Sequence, residues 1–280
     1  MLSRRRLLQS ASALVPLAAL HVFGRAAVVE QTPVPAPLPD TFPSHPHELA
    51  REMVLVSHFN LKRVQELVAA RPALARAAWD WGFGDWESAL GAASHMGNRA
   101  IAEYLIAQGA RPSIFSAAML GQLEVVKAFV AAQPAVVRIR GPHSISLLAH
   151  ARKGGEAARP VFEFLQSLKE ADQEQPAPLT AEETSVLVGT YGFGAGIADQ
   201  VEVDADIKMY AAGKMYSFPP QLNWTRKGTM PRPLFHLGDR VFYPAGAQSV
   251  RIRFAEENGT VTMTVHDAEL TLTARKTSRG

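Results

Sequence analysis

Apolar residues recur at helical spacing up to about residue 170 and at alternate positions from about residue 188 onward. A stripe of period 3.6 must be buried against other helices, and a face of period 2 against a sheet or a closed barrel. The sequence therefore predicts an α+β protein built as two domains, a helical stack followed by a small antiparallel β meander or barrel. The change falls at residues 171–179, a polar linker with Pro176 and Pro178.

The helical region repeats itself. Ser88-Ala89-Leu90-Gly91-Ala92-Ala93, then Gly97, Ile101-Ala102, Leu105-Ile106 and Gly109-Ala110, form one copy. Ser116-Ala117-Ala118-Met119-Leu120-Gly121 opens a second, with Val125-Val126 and Phe129-Val130 on its longer helix. Ser146-Leu147-Leu148-Ala149-His150-Ala151 opens a third, and Val54 to Val68 is a degenerate first copy. Small residues let helices stack closely, and glycine turns the chain between them. One copy cannot bury its apolar face alone; only stacking does.

These copies resemble the ankyrin repeat over about residues 47–170. The family's Leu-His-x-Ala-Ala-x-x-Gly run is met loosely by Leu90-Gly91-Ala92-Ala93 to Gly97. The resemblance implies about four helix pairs and a binding face of finger loops. Gly121 to Gly154 or Gly155 spans 33 or 34 residues, the family period. Gly97 to Gly121 spans only 24, so that loop should be clipped, whereas Phe59 to Gly97 spans 38, so that loop should be enlarged. Phe59 also stands where the turn glycine belongs.

Beyond the linker, Val250, Ile252 and Phe254 alternate with Arg251 and Arg253, and Asn258-Gly259 marks a tight hairpin before Val261, Met263 and Val265. Leu270, Leu272 and Ala274 complete a third strand. Earlier candidates are Val188–Phe193, Gln200–Asp204, Ile207–Ala211, Leu234–Leu237 and Arg240–Tyr243. The β domain, residues 180–276, is similar to the lipocalin-like domain appended to some bacterial β-lactamase-related serine hydrolases, on Val188-Gly189-Thr190-Tyr191, Leu234-Phe235-His236-Leu237 and the closing hairpin. That resemblance implies an accessory domain.

The N-terminus reads Ser3-Arg4-Arg5-Arg6-Leu7-Leu8, followed by a short apolar run and Gly24-Arg25-Ala26. This has the form of a signal peptide over residues 1–26 and resembles the bacterial twin-arginine type. It implies folding before export to the periplasm, with secretion as the alternative. About ten apolar residues are too few to span a membrane. Residues 27–46 form a spacer that holds six prolines, Pro33, Pro35, Pro37, Pro39, Pro43 and Pro46. Outside residues 1–26, 25 basic residues face 26 acidic ones, so the body carries no electrostatic footprint for nucleic acid.

The chain has no cysteine, which excludes thiolate metal sites and thiol nucleophiles. His47-Glu48-Leu49-Ala50-Arg51 lacks the second histidine of a zinc-protease helix. No Gly-x-Ser-x-Gly elbow, phosphate loop or dinucleotide fingerprint occurs, so the sequence yields no catalytic, cofactor or metal motif. Three of the four tryptophans fall in Trp79-Asp80-Trp81-Gly82-Phe83-Gly84-Asp85-Trp86. They either cap the open end of the stack or present a partner surface. Arg138, Arg140 and His143, in a later finger, read as solvated charge or as the other half of that surface. His95 and His150 read as structural histidines or as polar contacts on inner helices. The expected function is binding of a protein or small ligand through Trp79, Asp80, Trp81, Phe83, Asp85, Trp86, His95, Arg138, Arg140 and His143, without catalysis. The alternative is a small-molecule carrier or accessory enzyme component with its ligand in the barrel, and a third reading is an immunity or inhibitor partner of an exported hydrolase.

Overall fold

The computed structural model describes residues 42, 44–168, 177–194, 200–205, 208–211, 214–217, 221–226, 229, 231–268 and 270–279. The leader, most of the spacer and the linker up to residue 176 lie outside them. The first described helices are α1 (His47–Val56), α2 (Leu61–Ala70), α3 (Ala89–Met96), α4 (Arg99–Ala107), α5 (Ile114–Met119), α6 (Leu123–Ala132), α7 (Leu147–Lys153) and α8 (Arg159–Ser167). They pack as four consecutive pairs, and α1, α3, α5 and α7 stack in a row. The close stacking follows from small side chains: Ala89, Ala92, Ala93, Ala117, Ala118 and Ala151 are all buried. Serines begin α3, α5 and α7, with Ser88 accepting from Gly91 N, Ser113 from Ser116 N and Ser146 from Ala149 N.

The pairs differ in the loops between them. Between α4 and α5 lies only a short link, as the 24-residue glycine spacing anticipates. Between α2 and α3 a 3-10 turn, Pro72–Arg76, leads into a hairpin of β1 (Ala78–Asp80) and β2 (Trp86–Ser88). Between α6 and α7 a matching turn, Pro134–Arg138, leads into a finger closed by the Arg140–Ser146 bridge. Two long fingers thus flank one clipped link.

Helix α9 (Ala181–Leu187) opens the barrel region and is started by a capping box between Thr180 and Glu183. Eight antiparallel strands then close on themselves: β3 (Gly189–Gly192), β4 (Gln200–Asp204), β7 (Asn223–Arg226), β8 (Arg232–Gly238), β9 (Val241–Pro244), β10 (Arg251–Glu257), β11 (Thr260–Asp267) and β12 (Leu270–Arg279), which returns to β3. A separate hairpin pairs β5 (Lys208–Ala211) with β6 (Lys214–Ser217). Tyr191, Val201, Val203, Trp224, Leu234, Phe242, Ile252, Phe254 and Met263 pack together inside the barrel, and Leu187 of α9 joins them. Among the described residues no helix is long and apolar enough to cross a membrane.

Two sequence expectations are corrected. Phe129 is 46% exposed, because the buried stripe of α6 runs through Leu123, Val126 and Val130 and leaves Phe129 on its outer side. Leu270 and Leu272 are exposed although Ala274 is buried. β12 pairs with β3 only from Arg275 onward, so at those leucines β12 is an edge with β11 on one side alone. Gly121, in contrast, is held as the repeat pattern requires. Its φ is +76°, and a Cβ there would lie 2.0 Å from the Ala157 carbonyl oxygen. Gly121→Ala should therefore destabilise the protein by roughly 2–4 kcal/mol, and Phe129→Ala by less than about 1 kcal/mol. Chemical denaturation of both variants checks this; equal losses would mean that the α6 register is wrong.

Candidate metal centre

The tip of the first finger is built from residues that tolerate left-handed backbone. Gly82 and Gly84 have φ of +110° and +77°, and the Asp80 carboxylate accepts from Gly82 N. This tight tip sets the strand alternation of β2: Trp86 and Ser88 face outward, while Glu87 between them is fully buried. Trp86 is 65% exposed. Asp85, one residue earlier, is buried and points toward the second finger, where its Oδ1 accepts from His143 N at 2.9 Å and its Oδ2 meets His143 Nδ1 at 2.8 Å.

Glu87 is the hub of a cluster. Trp81 Nε1 donates to its Oε2 at 2.8 Å. His58 Nε2 and His143 Nε2 each lie 3.5 Å from Oε2, and His95 Nδ1 lies 3.1 Å from Oε1. One ligand atom each from His58, Glu87, His95 and His143 falls within a common 4.8 Å. The four come from separate segments: the turn after α1, strand β2, helix α3 and the second finger. Asn98 Nδ2 donates to the His58 carbonyl and pins that turn against the start of α4.

The tautomers are set from outside. His58 Nδ1 sits 3.1 and 3.0 Å from the carbonyls of Val54 and Leu55, which only accept, so Nδ1 carries the hydrogen. Burial pushes the His58 imidazole down, outweighing the pull of Glu87, so the ring is held toward its neutral form. Its Nε2 lone pair then faces a carboxylate. Burial would push Glu87 up, but His143, His95 and His58 together hold it well below the usual carboxylate range. His143 would likewise be lowered by burial, yet Asp85 and Glu87 raise it to about 9.

His95 Nδ1 and Glu87 Oε1 are both buried and, although 3.1 Å apart, are not aligned as a hydrogen bond. A metal ion held between the two atoms would give both a partner. Metal–nitrogen bonds of about 2.0–2.1 Å place tetrahedral ligands about 3.3–3.4 Å apart; the nitrogen-to-carboxylate distances here are 3.1–3.5 Å, within a set of ligand atoms that lies inside 4.8 Å. Three imidazoles and one carboxylate suit zinc, copper, iron or nickel, and not calcium or magnesium.

The structure brings together only some of the residues singled out from the sequence. His95, His143, Asp85 and Trp81 belong to the cluster or touch it. Asp80 shapes the fingertip, Trp79 stacks on His47 and Phe83 stacks on Trp224 of the barrel. Trp86 faces solvent. Arg138 and Arg140 line a separate cleft of about 490 Å³ with Ile139, Leu237, Tyr243, Gln248 and Arg251. His150 lies behind His95, with ring centroids 6.4 Å apart, and burial pushes it down to about 4. Its Nδ1 is committed to the Ser146 carbonyl, while its buried Nε2 has no hydrogen-bond partner among the described residues. Sequence reasoning missed His58 and Glu87. Neither carries a signal in the sequence, because Glu87 turns inward only through the alternation of β2 and His58 sits in an irregular turn.

Comparison with known protein families, with curated proteins and with solved structures finds no match to this chain.

Proposed function

We propose that this chain is an exported metal-binding protein that holds one divalent transition-metal ion, zinc foremost, between His58, Glu87, His95 and His143. The observation that carries this reading is the buried convergence of three imidazole nitrogens on one carboxylate, with the opposite nitrogens of His58 and His143 already committed outward. Outward-held Nδ1 atoms are what metal-ligating histidines need, because they fix which nitrogen faces the ion. The ligands meet only when the helices stack, so the site is a property of the folded protein.

An ankyrin-like character of the stack is supported by its paired helices, its glycine turns and its two finger loops. Export by the twin-arginine route to the periplasm rests on Ser3-Arg4-Arg5-Arg6-Leu7-Leu8. A chain that folds before export would acquire its metal where it folds. Exposed Trp86 favours a second role for the finger face, the docking of a protein or small ligand. The carrier alternative draws no support from a barrel interior packed with side chains.

The test is the metal content of the protein purified from the periplasm of cells that express the full chain. The reading expects about one transition-metal ion per chain. The His95→Ala, Glu87→Ala double variant should carry none. A wild type that holds no metal, and takes up neither zinc nor cobalt when they are added, overturns it. Replacing Arg4, Arg5 and Arg6 with lysine should strand the protein in the cytoplasm; normal periplasmic amounts would end the export reading.

A further inference from the structure

The candidate ligands all lie in the helical part, yet a residue that meets Asp85, the partner of His143, belongs to the barrel. Arg232, the first residue of β8, is largely buried and faces three oxygens of the first finger and one of the barrel's own loop. Its Nη2 donates to the carbonyls of Trp81 at 2.6 Å and Gly82 at 3.1 Å. Its Nη1 donates to the Ala245 carbonyl at 2.7 Å and meets Asp85 Oδ2 at 3.4 Å. The guanidinium also lies over the Phe83 ring, 5.7 Å from its centroid. A planar fork can reach both ends of the fingertip at once, which a lysine cannot.

The barrel loop presses the same carboxylate from another side. Gly246 has φ +80°, and a Cβ there would come within 2.0 Å of the Asp85 carboxyl carbon. Gly246 N also donates to Ser144 Oγ, next to His143. Asp85 is thus wedged between the barrel and His143, and the same Oδ2 that takes His143 Nδ1 also faces Arg232.

Resting on the metal reading above, we propose that the C-terminal barrel is the outer shell of the metal centre, and that Arg232 is a positioning residue that orients His143 through Asp85. Asp85 fixes the Nδ1 tautomer of His143 and so turns Nε2 toward the ion. Arg232 fixes Asp85. Without the guanidinium the Asp85 carboxylate keeps the wedge of Gly246 but loses the cation beside Oδ2, and the partner that sets the His143 ring is held less firmly. The barrel then has a role that needs no ligand of its own.

The experiment measures zinc affinity of the full mature chain by competition with a chromophoric chelator. Asp85→Asn should weaken zinc binding roughly 10–100-fold, as loss of an outer-shell partner commonly does. Arg232→Met should weaken it by about 10-fold. Because Arg232 acts through Asp85, the double variant should bind no more weakly than Asp85→Asn alone. Arg232→Lys, which keeps the charge but not the fork, should fall between wild type and Arg232→Met and should alter the absorption spectrum of the cobalt-loaded protein. That variant carries the test if Arg232→Met fails to fold. Wild-type zinc affinity and an unchanged cobalt spectrum in the Arg232 variants, or losses that multiply in the double variant, overturn the role of the barrel and leave the metal site standing. A wild type that takes up no zinc removes the metal reading itself.

Discussion

Zinc-loaded protein is expected to melt roughly 10 °C above the same protein stripped by a chelator. An ion that binds only the folded chain stabilises it by an amount set by its concentration over its dissociation constant, about 4 kcal/mol at a thousandfold excess. In a chain of this size each kcal/mol moves the midpoint by about 2–4 °C. The ligands here cannot be gathered by the unfolded chain. His58 and His143 stand 85 residues apart, and the four donors approach only through stacking of α1 on α3 and of α3 on α7. The stripped protein should stay folded, because Glu87 keeps Trp81 Nε1 and Asp85 keeps His143. Scanning calorimetry of loaded, stripped and reloaded samples measures the shift. Coincident midpoints for loaded and stripped protein would sink the claim that the ion binds the folded cluster.

The fold was more legible than the site because its signals are local. Gly97 and Gly121 sit at φ +76°, where the repeat pattern needs a residue without a side chain. Asn258 and Gly259 both have positive φ, as the tight turn between β10 and β11 demands, and the alternation of Ile252 and Phe254 with Val265 and Met263 fixed that register. Misjudged positions were those whose burial depends on a distant neighbour. Phe129 has the right helical period but no helix on its side, and Leu272 has the right strand period but no β3 beside it. The candidate metal centre is the extreme case. His58, Glu87, His95 and His143 carry no ligand spacing, since no two share an element and two lie in irregular turns. A motif search finds ligands placed by one helix or one knuckle; here the spacing is set by the stacking of helix pairs and by the length of two fingers.

Replacement of Glu87 should separate the two roles that its position gives it. In the metal-free protein it is a fully buried carboxylate that accepts from Trp81 and faces three imidazoles. Glu87→Ala removes the common partner of those groups and opens a gap between the first finger and α3. Taking one partner out of a buried charge cluster typically costs about 3–5 kcal/mol, so this variant should be clearly destabilised even with no metal present. Glu87→Gln keeps the shape and an oxygen for Trp81 Nε1, so most of that loss should be avoided. It removes the negative charge, however, and an amide oxygen is a far poorer ligand for a transition-metal ion than a carboxylate. Zinc affinity should therefore fall at least 100-fold, by order of magnitude, while chemical denaturation of the stripped variant stays within about 1–2 kcal/mol of wild type. The paired measurement discriminates because packing and ligation move apart. If Glu87→Gln binds zinc like wild type, the carboxylate is not a ligand and the ion lies among the histidines alone. If Glu87→Ala is as stable as wild type without metal, the side chain is not buried at the hub of this cluster, and the centre built around it fails with it.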